Sequence, residues 1–119
     1  MANINQSVQN LVSIDGALCA ALVDSGSGMI LGQAGSGVDL EVAAAGNTEV
    51  VRAKLKTMRS LELNDTIEDI LITLGKQYHI LRPLAKHDGL FLYVVLDKTK
   101  SNLALARRKV SDVETALEM

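Results

Sequence analysis

Leu90-Phe91-Leu92-Tyr93-Val94-Val95-Leu96-Asp97, followed by Lys98-Thr99-Lys100-Ser101 and then Asn102-Leu103-Ala104-Leu105-Ala106-Arg107-Arg108, decides the architecture. Every position from Leu90 to Leu96 is apolar, and the run is rich in aromatic and β-branched types. Such a run reads as a strand buried on both faces. It belongs in the middle of a sheet with a layer on either side. The polar turn that follows opens a helix, in which Leu103, Ala106, Val110, Val113 and Leu117 recur at three- and four-residue spacing.

Upstream of this strand the chain reads as alternating elements. Ile4, Val8, Leu11 and Val12 form one face of a short first helix, which Asp15-Gly16 ends. Ala17 to Val23 is a second inner strand. Asp24-Ser25-Gly26-Ser27-Gly28 is a tight turn, and Met29 to Ala34 is the returning strand. Asp39 is a helix N-cap, with Glu41 favourable at the positive end of the dipole. The helix from Asp39 to about Leu61 puts Leu40, Ala44, Val51, Leu55 and Met58 on one sheet-facing stripe. A second stripe of small or apolar residues, Ala43, Gly46, Val50 and Ala53, lies beside it. Glu41, Glu49, Arg52, Lys56 and Arg59 fill the remaining arc. Thr66 to Leu74 is expected to be a strand, Gly75-Lys76 a hairpin turn, and Gln77 to Leu84 the next strand, with Pro83 near its end because proline cannot donate to a ladder. The order is α-β-β-α-β-β-β-α, which calls for an α+β fold: a three-layer α-β-α sandwich around an antiparallel sheet.

The chain length fits one domain over residues 1–119, large enough to bury a core without disulfides or metal. The single cysteine, Cys19, cannot form an internal disulfide and suits a reducing compartment. The N-terminus lacks a basic-then-apolar signal pattern, and no apolar run approaches the roughly 20 residues of a membrane span. A cytoplasmic protein is expected, with no direct membrane insertion. A net charge of −2 excludes a strongly basic nucleic-acid binder. The charge is uneven: residues 1–51 carry five acids and no Lys or Arg, whereas residues 52–119 carry twelve bases and nine acids, so the halves are −5 and +3. A sheet that interleaves the halves would average this asymmetry out.

No pattern of catalytic chemistry is complete. Gly26-Ser27-Gly28 lacks the third glycine and the following Lys-Ser/Thr of a phosphate loop, and it lies between strands rather than before a helix. His79 and His87 have no third ligand at metal-binding spacing. Cys19 stands in an apolar strand, where an inert thiol is the default. Glu68-Asp69 and Asp112/Glu114 diverge in direction and read as solvated surface, as do Arg107-Arg108-Lys109. Tyr78, Phe91 and Tyr93 sit in strands, so a stacking platform for nucleic acid is unsupported. No cofactor, metal or catalytic residue is expected.

Gly16-Ala17 at the first strand, Asp24 through Gly28 at the first hairpin, and Asp97 followed by Asn102-Leu103-Ala104-Leu105-Ala106-Arg107 resemble the Roadblock / dynein light chain family over almost the whole chain. Family members often carry an Asn-Leu-Gly-x-x-Arg-like run at the last position, with glycine where this chain has Ala104. The resemblance implies a five-stranded sheet of order 2-1-5-4-3, with the long helix on one face and the terminal helices on the other. It also implies a homodimer in which third strands pair across a two-fold axis and the long helices pack together. The residues support this independently, because Ile70, Leu71 and Ile72 would make an unprotected edge and the Ala43, Gly46, Val50, Ala53 stripe would let two helices approach. An antiparallel helix pair would set Asp39 and Glu41 near the partner's basic end, although dipole complementarity within one helix predicts the same charge order. The resemblance further implies a non-enzymatic regulator or scaffold that binds a small Ras-like GTPase, a related NTPase or a motor complex. The Glu41, Glu49, Arg52, Lys56, Arg59 arc is the candidate docking surface. The alternative is a small-molecule sensor or small enzyme with a pocket between sheet and helix, which the lack of polar groups converging from the inner strands argues against.

Overall fold

The computed structural model describes residues 2–119. Helix α1 (Ile4–Val12) is followed by β1 (Ala17–Asp24), β2 (Ile30–Gly35), α2 (Leu40–Ser60), β3 (Ile70–Thr73), β4 (Gln77–Pro83), β5 (Leu90–Asp97) and α3 (Leu103–Ala116). The strands form one antiparallel sheet in the order β2-β1-β5-β4-β3. The expected architecture and strand order are therefore present.

Alternation along the strands divides the core into two layers. Leu22, Ile80, Leu92, Val94 and Leu96 face α1 and α3, where they meet Val8, Leu11, Ala106 and Val110. Cys19, Val23, Leu81, Phe91, Tyr93 and Val95 face α2, where they meet Leu40, Ala44 and Val51. All of Phe91 through Leu96 is buried, as a strand covered on both faces requires. The helix N-termini are capped, at α2 by the expected Asp39 and at α1 and α3 by residues not singled out as caps in the sequence. Asn3 and Gln6 form a capping box at α1, Asp39 accepts from Glu41 N and Val42 N at α2, and Asn102 accepts from Leu105 N at α3.

Two of the three stretches that carried the family resemblance touch each other. Gly16 holds a left-handed backbone (φ 84°), and its carbonyl accepts from Asp97 N at 2.7 Å. A Cβ there would lie 2.1 Å from Ser101 Oγ and 2.9 Å from the Lys100 backbone, so only glycine fits. The Asp97 carboxylate accepts from Thr99 N and Thr99 Oγ1, which lowers its pKa and caps the single 3-10 turn leading to α3.

Two expectations need correction. The third strand is shorter than Thr66 to Leu74. Ladder pairing starts only at Ile70↔Leu81, although β4 runs on to Pro83; Asp69, just before it, is held instead by Arg107 of α3. The charge asymmetry averages out only in part. β1 lies beside β5, α1 packs on α3, and Asp15 shares a groove with Lys100 and Lys109, so the halves meet through the middle of the fold, whereas the outer strands β2 and β3 stand at opposite edges.

Candidate functional site

Strand β3 is one edge of the sheet. Ile70, Leu71 and Ile72 are each only half-buried. Ile70 and Ile72 pack on the α2 side and Leu71 on the opposite face. The strand carries no charge or proline that would blunt it, so a short apolar edge stands open.

Helix α2 lies across the sheet so that its two flanks differ. Leu40, Ala44, Thr48, Val51 and Met58 point down into the core, with Leu55 half-buried beside them. One flank turns to β2: Glu41 shares a groove with Gly28, Met29, Ile30 and Gln33, and Ala45 sits over Gly28. The other flank turns toward β4 and β3. Of the small-residue stripe, Ala43 is half-buried, while Gly46, Val50 and Ala53 are exposed. A Cβ on Gly46 would meet nothing within 4 Å. By helical spacing this stripe falls on the β3-side flank, beside Asn47, whose side chain acts on Tyr93 of β5. The open strand and the small-residue stripe thus occupy one side of the molecule.

The arc of Glu41, Glu49, Arg52, Lys56 and Arg59 is exposed throughout. It borders the small-residue flank at Ala53 and changes sign along the helix, from acidic at the start to basic near the end. Arg52, Lys56 and Arg59 rim one shallow depression with Ala53 and Leu55. Three of the charges assigned to solvent, Asp69, Arg107 and Glu114, are engaged instead, while Glu68, Arg108, Lys109 and Asp112 are exposed as expected. Arg107 donates to both Asp69 oxygens at 2.8 Å, and this partner raises its pKa. Glu114 accepts from Arg82 Nε and, at 2.7 Å, from Ala85 N. Partners 29 to 38 residues apart leave no local signal.

Polar groups do converge beneath α2, contrary to the sequence reading. His79 Nε2 lies 2.9 Å from Gln77 Oε1, and the Tyr93 hydroxyl 3.0 Å from His79 Nδ1. The Gln77 carbonyl can only accept, so Nε2 carries the proton and Nδ1 accepts from Tyr93. Burial lowers the His79 pKa and keeps the ring neutral. Burial also raises the Tyr93 pKa, which the Asn47 side chain opposes. His79 belongs to β4 and Tyr93 to β5, at positions that are not direct cross-strand partners, so the pairing follows from register and could not be read from spacing. The alternation of both residues onto one face was the available clue.

This chain of hydrogen bonds is not an assembled catalytic site. Cys19 lies on the same face, but burial raises its pKa and leaves it a thiol. Among the described residues no three His, Cys, Asp or Glu side chains are grouped to hold a metal. A cavity of about 330 Å³ between the second half of α2 and the sheet is lined by Val51, Leu55, Pro83, Leu84 and Leu90, with Ser25, Thr66 and Asp88 at its rim. It does not reach Tyr93 or His79. No helix among the described residues is long and apolar enough to cross a membrane.

Solved structures share this arrangement. A Roadblock/LC7 domain from Streptomyces avermitilis matches with a TM-score of 0.82 at 12% identity, over 97% of this chain and 94% of that one. MglB from Myxococcus xanthus matches at 0.81 with 19% identity, over 94% and 89%. The gliding protein mglB from Thermus thermophilus matches at 0.70 with 14% identity, over 92% and 87%. No family model and no curated protein sequence matches the chain. The chain has the Roadblock fold.

Proposed function

We propose that this Roadblock-fold chain is a non-enzymatic homodimer that binds a small Ras-like GTPase, or a related NTPase, and controls its activity or placement. The observation that carries the reading is the coincidence on one side of the molecule of an open apolar edge, Ile70 to Ile72, with a small-residue helix flank, Ala43, Gly46, Val50 and Ala53. Two copies related by a two-fold axis would extend the sheet through β3 and seal the flanks of α2 against each other. Burying the half-exposed isoleucines and Val50 supplies the apolar core of such an interface. The exposed arc of Glu41, Glu49, Arg52, Lys56 and Arg59 would then appear twice, outside the seam, as a polar docking surface. The GTPase class comes from the resemblance to the Roadblock family. The experiment is charge reversal of Arg52 and Lys56 to Glu. Affinity for a Ras-like GTPase from the same genome should fall, while dimer mass and melting temperature stay unchanged. Undiminished binding at physiological salt would move the docking surface off α2.

A further inference from the structure

The sheet has a second open edge, and its chemistry differs from the first. Strand β2 bonds to β1 on one side and pairs with no other strand on the other. Its sequence, Ile30-Leu31-Gly32-Gln33-Ala34-Gly35, contains no charge and no proline, the usual guards of an edge. Pairing is regular from Leu22↔Gly32 to Cys19↔Gly35, with a bulge at the start of the strand and a left-handed Gly35 (φ 77°) at its end. The outer backbone groups in regular register are those between these two points. Beside them runs a groove of about 420 Å³ lined by Gly28, Met29, Ile30, Gln33 and Glu41. Met29 is 66% exposed and Leu31 45% exposed at its margin.

The charge that lines this groove is acidic. Helix α1, strands β1 and β2 and the first half of α2 contain no Lys or Arg. Helix α1 has no charged residue at all. Glu41 lines the groove itself, Asp39 caps the adjoining end of α2 and Asp24 ends β1, while the first base, Arg52, follows about three turns beyond Glu41 along the helix. A second copy of the same acidic edge would be repelled, whereas a cationic strand would be drawn in.

We propose that β2 is a docking edge for an extended, Lys- or Arg-bearing segment of a partner protein, which adds a sixth strand to the sheet. Main-chain hydrogen bonds to β2 would supply the affinity, and alternate apolar side chains would settle against Met29, Ile30 and Leu31. The cationic positions would face Glu41 and Asp39. This site lies at the opposite edge of the sheet from β3 and does not depend on the dimer; of the α2 docking surface it uses Glu41 alone.

The test uses the full chain and an acetylated, alternating Lys-Val octapeptide, with a Glu-Val octapeptide as control. Amide NMR shifts from the Lys-Val peptide should be confined to residues 29–35, their cross-strand neighbours and residues 39–41 at the start of α2, and the affinity should weaken as salt rises. Leu31→Lys, which adds a guard to the edge, should abolish those shifts. Glu41→Lys should weaken binding about tenfold, the effect of losing roughly 1.4 kcal/mol. Both variants alter exposed side chains, and their unchanged spectra elsewhere report an intact fold. The proposal is overturned if the β2 amides do not respond, if the Glu-Val peptide binds as well, if the shifts fall on α2 beyond its first turn, or if β2 amides in the free protein are already covered by a second copy. Failure here leaves the charge-reversal result at Arg52 and Lys56 unaffected, so the two readings fail separately.

Discussion

Val50→Glu is the sharpest single probe of the proposed dimer. In one copy Val50 keeps 39% of its exposure, so substitution there disturbs little of the monomer. Glutamate is also a better helix former than valine. The dimer should respond differently. Complete burial of a valine contributes at least about 1.5 kcal/mol, and sealing the remaining 39% is therefore about 0.6 kcal/mol per copy. The variant loses that and forces a carboxylate into a desolvated seam, at a further cost of at least about 1 kcal/mol. Two-fold symmetry doubles both effects, to about 3 kcal/mol, or roughly a hundredfold in the dimer dissociation constant. Lys54, one turn along, is an exposed cation that could offset part of this. Sedimentation over a concentration series, with circular dichroism on the same samples, reads mass and fold together. Leu31→Glu, at the far edge of the sheet, is the control and should leave the dimer constant unchanged. A Val50→Glu protein that dimerises as tightly as wild type would refute the placement of α2 at the interface.

Three further outcomes test the fold and its polar contacts. Gly16→Ala should lower stability by about 2 kcal/mol or more in urea unfolding, because it strains a left-handed residue and meets the Lys100 backbone. Glu114→Ala should cost about 2–3 kcal/mol, since it removes the partners of both Arg82 and Ala85 N. The neutral His79 predicts a pH effect. Its folded pKa lies below the ordinary 6.5, so the unfolded chain takes up a proton first. Its contribution is therefore full above pH 6.5 and lost as pH falls from there toward the folded pKa. Unfolding curves across that window should show a slope that His79→Gln removes, and identical slopes in the two proteins would refute a buried neutral ring.

The elements that could be read from the sequence are those whose signal is local. Leu90 to Leu96 announces a central strand because every position must be apolar when both faces are covered. The α2 stripe of Leu40, Ala44, Val51 and Met58 follows from helical spacing alone, and Asp39 is a recognisable cap. What the sequence concealed depends on which strand lies beside which. The start of β3, at Ile70↔Leu81, is set by its pairing with β4. Asp69, read as solvated, binds Arg107 because α3 passes that end of β3. The Gln77, His79, Tyr93 chain exists because register brings two strands together on the α2 face. The placement of β2 and β3 at opposite edges likewise follows from strand order, which hydropathy does not encode.

The central claim is that β3 of one copy pairs with β3 of another while the small-residue flanks of α2 close over the join. Isotope-filtered NMR on a mixture of labelled and unlabelled protein tests this directly, since it detects only contacts between copies. The account predicts cross-copy contacts within Ile70 to Thr73 and among Ala43, Gly46, Val50 and Ala53, in a particle of about twice the 12.7 kDa chain mass. A 12.7 kDa particle at micromolar concentration, or cross-copy contacts that avoid β3, would contradict it.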